Sequence, residues 1–101
     1  MPDSADKRIQ MLVFLKEGED ESYDQLAEID RLDLRRKSVE VKTFKVPQDE
    51  EAAREMRVER VPSILFVKDG EILKRLNGLT QASVLGEALS RVEHYQDPFS
   101  A

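Results

Sequence analysis

Cysteine is absent from this chain of 101 residues, and histidine occurs only once. Without cysteine the protein forms no disulfide and has neither a thiolate metal ligand nor a thiol nucleophile. A single histidine also argues against a zinc site built from imidazole ligands. The composition therefore excludes thiol chemistry, and we expect the protein to carry neither a metal nor another cofactor.

Long hydrophobic runs and aromatic residues are scarce as well. No apolar run reaches the roughly 20 residues of a transmembrane helix, and residues 1–7 are polar and acidic, unlike a signal peptide. We therefore expect a cytoplasmic protein with no membrane partner. Aromatic residues make up 6% of the chain, so aliphatic side chains must build the core. The length suits one domain, which we assign to residues 9–93 between flexible tails at residues 1–8 and 94–101.

Clustered positive charge is also limited. The net charge is −5, and residues of the two signs are interspersed. The one basic run, Arg35, Arg36 and Lys37, is short, and its place at the end of a predicted helix suits the negative end of the helix dipole. Because nucleic-acid binding requires a clustered basic surface, we expect no nucleic-acid partner.

The first half of the chain predicts a strand, a helix and a second strand. The continuous apolar run at residues 9–15 (IQMLVFL) indicates a strand buried on both faces. Ser22 and Gln25 match a capping box at the start of a helix over residues 22–34. The alternating, β-branched residues 38–46 predict the second strand.

The second half predicts a short helix, a hairpin and a last helix. Asp49 is the expected N-cap of a helix that runs to about residue 57. Residues 63–68 and 71–76 form two strands joined by a tight turn at Asp69-Gly70. Thr80 is the expected cap of the last helix. The apolar face of the short helix comprises Ala52, Ala53 and Met56, and that of the last helix Val84, Leu85, Ala88, Leu89 and Val92.

This order of elements predicts an α/β architecture. The connectivity β-α-β-α-β-β-α implies a parallel pair with a helical crossover, followed by a hairpin and a covering helix. We therefore expect a four-stranded mixed sheet flanked by three helices.

Two stretches resemble thioredoxin-like proteins. Residues 58–78 (VERVPSILFVKDGEILKRLNG) are similar to the C-terminal half of thioredoxins, and residues 14–22 (FLKEGEDES) resemble the first strand and active-site loop of thioredoxins and glutaredoxins. The resemblance spans most of the chain, and it places Glu19 and Ser22 where the family carries two cysteines. Thioredoxins often have glycine at the position of Arg57, which leaves the local turn geometry open.

The resemblance implies a binding surface that does not need cysteine. In the family, the residue before a cis-proline pairs its backbone with an extended peptide, which is strand addition on a small scale. Here that bond is Val61–Pro62, although only about 5–6% of X–Pro bonds are cis. We therefore expect a redox-inactive adaptor, assembly factor or chaperone-like protein that binds a protein or extended peptide. The predicted surface comprises Glu19, Asp20, Glu21, Ser22, Tyr23, Arg60, Val61, Pro62, Ser63, Asn77, Gly78 and Leu79.

Several other interpretations remain open. Lys16 stands where glutaredoxins hold a glutathione carboxylate, so a glutathione or small-molecule module working without its own thiol is the alternative. However, the neighbouring carboxylates of Glu17, Glu19 and Asp20 would repel an anion. The acidic cluster matches no EF-hand spacing, and acid/base catalysis requires a more buried carboxylate.

A few single residues also leave alternatives. Tyr23 and Phe99 are candidate partner contacts, although Tyr23 is in phase with Leu26 and could instead pack on the sheet. His94 suits the negative end of the last helix. An engineered replacement of cysteine by serine at position 22 would give this same sequence. Even then, Glu19 would leave at most one thiol at the site and would prevent dithiol chemistry. The sequence does not predict an oligomeric state.

Overall fold

The computed structural model describes residues 9–32, 34 and 39–95. The basic run Arg35, Arg36 and Lys37, the partner contact predicted at Phe99 and residues 1–8 and 96–101 of the predicted tails lie outside the described residues. The element order confirms the predicted α/β connectivity. The elements are β1 (Ile9–Lys16), α1 (Asp20–Asp30), β2 (Val39–Val46), α2 (Glu50–Glu55), β3 (Ser63–Lys68), β4 (Glu71–Asn77) and α3 (Ala82–Glu93).

The four strands form one mixed sheet in the order β2-β1-β3-β4. Strand β1 pairs in parallel with β2 and antiparallel with β3, and β3 pairs antiparallel with β4. Asp69 and Gly70 join β3 to β4 with φ angles of 54° and 81°. These two left-handed residues are what a tight hairpin turn requires, so the predicted turn is confirmed.

Strand β1 is buried on both faces because helices cover both sides of the sheet. Met11 and Val13 belong to the core on the side of α3, while Leu12 and Phe14 belong to the core that includes Ala53 of α2. The Phe14 ring stacks on Phe44 of β2 with centroids 4.7 Å apart. Successive side chains of a strand point to opposite faces, so the apolar run supplies both cores at once.

Helix α1 begins earlier than predicted, and the capping box at its start is wrong. The helix comprises Asp20–Asp30 with Glu19 at the N-cap, and no side chain caps it. Ser22 and Gln25 instead lie on its inner face, with 3% and 0% of their surface exposed. Because Asp20 and Glu21 occupy the first turn, their carboxylates stabilise the positive end of the helix dipole.

Helix α3 also differs from the prediction at its start. Its N-cap is Gln81, not Thr80, because the Thr80 hydroxyl donates to the Gly78 carbonyl at 3.1 Å. Val84 is 44% exposed and does not belong to the apolar face. The buried face consists of Leu85, Ala88, Leu89 and Val92.

Helix α2 follows the prediction except at its cap. Asp49 is its N-cap residue, but the Asp49 carboxylate makes no cap bond and accepts from the backbone N–H of Lys45 at 2.8 Å. Ala53 is buried, and Ala52 and Met56 pack beside it, which confirms the inward face.

The end of α2 shows the turn geometry that the sequence left open at Arg57. The Val58 N–H donates to the Ala53 carbonyl at 2.8 Å, and the Arg57 N–H donates to the Arg54 carbonyl at 3.1 Å. This pair of bonds is a Schellman motif, whose C′ residue adopts the left-handed conformation. Arg57 does so with φ of 58°, so a non-glycine residue occupies a strained position at this turn.

We expect Arg57→Gly to raise the free energy of unfolding by about 0.5–1 kcal/mol. Removing Cβ relieves a left-handed strain of about 1–2 kcal/mol, which the freer unfolded chain of glycine partly offsets. Arg57→Ala is the matched control, because alanine loses the side chain but keeps the strain. Urea unfolding of the three proteins measures the effect, and an alanine variant as stable as the glycine variant would contradict this explanation.

Candidate functional site

Two of the three predicted segments are in direct contact at one end of the sheet. Ser63 at the start of β3 pairs with Asn77 at the end of β4, and the Gly78 N–H donates to the Pro62 carbonyl at 2.7 Å. A Cβ on Gly78 would lie 3.3 Å from the Arg60 guanidinium, so the arginine rests against the glycine. The loop before β3 and the loop after β4 therefore form one continuous surface.

The third segment, at the start of α1, lies at the same end of the sheet because β1 leads into it. Phe14, near the end of β1, pairs with Ser63. Gln25 of α1 forms two hydrogen bonds with the backbone of Thr80, which follows Leu79 directly. The structure thus gathers the predicted residues at the end where β1 stops and β3 starts.

The gathered residues divide into a surface and its support. Pro62, Ser22, Ser63 and Gly78 are buried and form the support. The Ser63 hydroxyl donates to the Arg60 carbonyl and holds the loop before β3. Six residues are exposed, namely Asp20, Glu21, Tyr23, Arg60, Asn77 and Leu79, and two are half-buried, namely Glu19 and Val61. Tyr23 is 56% exposed and is not packed on the sheet.

The backbone of Val61 has no hydrogen-bond partner within the described part of the chain. Since Phe14 pairs with Ser63, the antiparallel ladder continued by two residues would set Lys16 opposite Val61. The Lys16 N–H is instead accepted by the Ser22 hydroxyl at 2.9 Å, and its carbonyl accepts from the Glu19 N–H at 3.2 Å. The ladder ends at Phe14 and Ser63, so the N–H and C=O of Val61 have no partner among the described residues.

Both peptide bonds that precede a proline in the described residues are cis. They are Val46–Pro47 at the end of β2 and Val61–Pro62 before β3. Only the cis conformation of the Val61–Pro62 bond is predicted from the sequence. Val46 and Val61, the residues before the two prolines, line one groove of about 310 Å³ together with Ala53, Val58 and charged residues.

Gln25 is a structural residue of the site that the sequence analysis assigned to another role. Its Nε2 donates to the Thr80 carbonyl at 3.0 Å, and its Oε1 accepts from the Thr80 N–H at 2.8 Å. One turn later, Oε1 of Glu28 accepts from the Ala82 N–H at 2.8 Å. Helix α1 therefore satisfies the first backbone groups of the α3 region and fixes the loop that carries Leu79.

The start of α1 is acidic. Asp20 and Glu21 lie in the first turn, and Oε1 of Glu19 accepts from the Ser22 hydroxyl at 3.3 Å. Lys16 is exposed beside them, and an anion or glutathione at this lysine stays a prediction. Residues 19 and 22, where the family has its cysteines, thus carry a carboxylate and a hydroxyl that bond to each other.

Within the described residues, neither a metal site nor a membrane-spanning helix adds to the candidate site. In residues 9–32, 34 and 39–95 no three or more His, Asp or Glu side chains cluster closely enough to hold a metal ion. None of the three helices described here has the length and apolar character needed to cross a membrane. His94 lies far along the chain at the C-cap of α3, where its Nδ1 is 2.8 Å from the Ser90 carbonyl oxygen.

Comparisons with known proteins identify the fold. The sequence matches no model of a known protein family and no curated protein. Among solved structures, thioredoxin-2 of a malaria parasite has a TM-score of 0.78 at 20% identity, with 84% of each chain covered. The thioredoxin of Fasciola hepatica has a TM-score of 0.77 at 25% identity and covers 87% of this chain and 84% of its own. The germline-specific thioredoxin Deadhead of Drosophila melanogaster has a TM-score of 0.77 at 19% identity over 88% of this chain and 85% of its own. The protein therefore has a thioredoxin-like fold that lacks the active-site cysteines.

We expect Gln25→Met to lower the free energy of unfolding by about 2–4 kcal/mol. Methionine keeps the length of the side chain but leaves the N–H and C=O of Thr80 buried without partners, at about 1–3 kcal/mol for each group. Gln48→Met is the control, since the exposed Gln48 amide bonds only to Glu17 at 3.3 Å, and we expect a change within about 0.5 kcal/mol. Chemical denaturation measures both values, and equal effects of the two substitutions would contradict the role assigned to Gln25.

Proposed function

We propose that this cysteine-free thioredoxin-like domain binds an extended segment of a partner protein at the end of the sheet where β1 stops. It acts in the cytoplasm as an adaptor, assembly factor or chaperone-like module. Disulfide exchange requires a thiolate, and the chain has none. Binding is therefore the activity that the retained geometry supports.

The unpaired backbone of Val61 carries this proposal. Buried or half-buried N–H and C=O groups are almost always hydrogen-bonded, to the protein itself, to water or to a ligand. An extended segment that runs beside Val61 would supply one acceptor and one donor and would continue the sheet by one strand. Because these contacts use backbone atoms only, they do not depend on the residues at positions 19 and 22.

Two apolar features next to Val61 offer contacts for the side chains of such a segment. The groove of about 310 Å³ is lined in part by the apolar side chains of Val46, Ala53, Val58 and Val61. On the other side, Leu79 is 43% exposed. Successive side chains of an extended segment point in opposite directions, so one side chain can enter the groove while the next contacts Leu79.

The charge of the surface indicates what flanks the bound segment. Glu17, Asp20, Glu21 and Asp24 are exposed around the start of α1. Complementary charges steer association and select between partners. We therefore propose that the segment carries lysine or arginine beside its apolar residue. A related fold already works within an assembly, since the malaria parasite thioredoxin-2 is described as a component of a protein secretion machinery.

We expect Leu79→Ser to weaken binding about fivefold or more, because it removes an apolar contact at the centre of the proposed surface. The partner is first captured on the wild-type protein from a lysate of the source cells and identified, and its dissociation constant is then measured by calorimetry. Val84→Ser is the matched control, since Val84 is 44% exposed and lies on α3 outside the surface. Binding that both variants weaken equally would contradict the proposal. So would a failure to capture any specific partner.

The contribution of the backbone is tested with Val61→Pro, which removes the N–H that the partner is expected to bind. We expect this variant to weaken binding at least as much as Leu79→Ser, while Val61→Thr, which keeps the N–H and a similar shape, binds nearly as well as the wild type. Thermal unfolding of both variants checks that the loop is intact. Unchanged affinity for a folded Val61→Pro protein would show that the partner does not pair with this backbone.

A further inference from the structure

Strand β2 presents an edge of the sheet that is unpaired within the described residues. It is the outermost strand on its side, and its residues Val41–Thr43 are all exposed. The N–H of Lys45 donates to the Asp49 carboxylate, and the Lys45 carbonyl accepts from the Asp49 N–H, each at 2.8 Å. Both backbone groups of Lys45 therefore point away from β1.

The direction of the Lys45 backbone identifies the other outward groups. Alternate residues of a strand direct their N–H and C=O to the same edge, so Val41 and Thr43 also point away from β1. Neither has a bonding partner at that edge among the residues that the structure describes. Val39 alternates in the same way, so the outward edge offers the N–H and C=O groups of three residues, and Asp49 closes it at Lys45.

We propose that two copies of the chain associate through this edge, with β2 antiparallel to β2 of the second copy and Val41 opposite Val41 of the second copy. The two four-stranded sheets then form one continuous sheet across a two-fold axis. This interaction surface is separate from the Val61 surface and does not depend on its function.

Symmetry restricts the register of such a pair. A two-fold axis perpendicular to the sheet keeps each face of the sheet on its own side. Directly opposite residues of an antiparallel pair have side chains on the same face, so the axis must pass midway between one residue and its copy. An axis at Glu40 or at Lys42 places like charges directly opposite each other, which is destabilising. An axis at Thr43 needs the N–H and C=O of Lys45, which Asp49 already binds.

The axis at Val41 meets every one of these conditions. It sets Glu40 opposite Lys42 of the second copy twice, once on each side of the axis. The Glu40 carboxylate is already oriented by the Gln10 amide at 3.1 Å, whereas no partner of the Lys42 amine lies among the described residues. On the opposite face the axis joins two copies of Val41, an apolar side chain that is 40% exposed.

The other edge of the sheet is less suited to the same role. The pairing of β4 with β3 contains a register shift between Phe66 and Val67, and irregular edges hinder pairing. Lys74 and Arg75 are adjacent and exposed on β4. Since the β2 ladder spans only residues 39–43, its area falls below the roughly 1,200 Å² of a stable interface, and we expect a weak dimer that dissociates on dilution.

Sedimentation equilibrium from about 10 μM to 1 mM tests the proposal, and we expect the mean mass of the wild type to rise toward that of a dimer. Lys42→Glu and Glu40→Lys each set like charges opposite each other twice, so each is expected to weaken self-association about tenfold. An equimolar mixture of the two variants restores both opposite-charge pairs and is expected to associate at least as well as the wild type. Lys74→Glu on β4 is the control for the change in net charge, with no expected effect.

Hydrogen exchange adds a local readout, since the amides of Val41 and Thr43 are expected to become protected as the concentration rises. A wild-type protein that stays monomeric to 1 mM would overturn the proposal. So would self-association that Lys42→Glu leaves unchanged, or a mixture that associates no better than its two components alone. Circular dichroism confirms that each variant is folded before the masses are compared.

Discussion

The hydrogen bonds of Lys16, the last residue of β1, determine how the end of the sheet that carries the candidate site is built. Its N–H is accepted by the Ser22 hydroxyl and its carbonyl accepts from the Glu19 N–H. These two bonds turn the chain from β1 into α1 and satisfy the strand end locally. Because the Lys16 backbone bonds to Ser22 and Glu19, it does not pair with Val61 in the ladder that β1 forms with β3. The start of α1, the direction of the loop before Pro62 and the open backbone site all depend on this one termination.

The chain builds this arrangement without cysteine. Ser22 serves as an acceptor for the strand end, and Glu19 bonds to Ser22 at the N-cap of α1. The positive end of the helix dipole, which lowers the pKa of thiols in redox proteins, here lies beside carboxylates that have no redox chemistry. The backbone geometry at Val61 therefore needs no sulfur, whereas disulfide exchange requires a thiolate.

Most elements could be predicted from local patterns, because the signals are local in origin. The apolar run of β1 reflects burial on two faces, and Asp69-Gly70 supplies the two left-handed residues of a hairpin turn. The capping box was wrong for a definable reason. A serine followed three residues later by glutamine is typical of a helix start, yet the same spacing sets both side chains on one inner face when the helix begins two residues earlier.

The support of the site could not be predicted because it depends on contacts between distant residues. Gln25 and Thr80 are 55 positions apart, and no local pattern indicates that one would satisfy the other. The unpaired backbone of Val61 follows from the register of β1 with β3 and from the competing acceptor at Ser22. The resemblance to thioredoxins predicted which residues form the surface, but only the structure distinguishes the exposed residues among them from the buried ones.

Amide hydrogen exchange at Val61, measured in the free protein and in its complex with the captured partner, tests the central claim most directly. We predict rapid exchange at Val61 in the free protein and strong protection in the complex, with Ile64 of β3 protected in both states. A Val61 amide that is already protected in the free protein, or that stays unprotected when the partner is bound, would contradict the account.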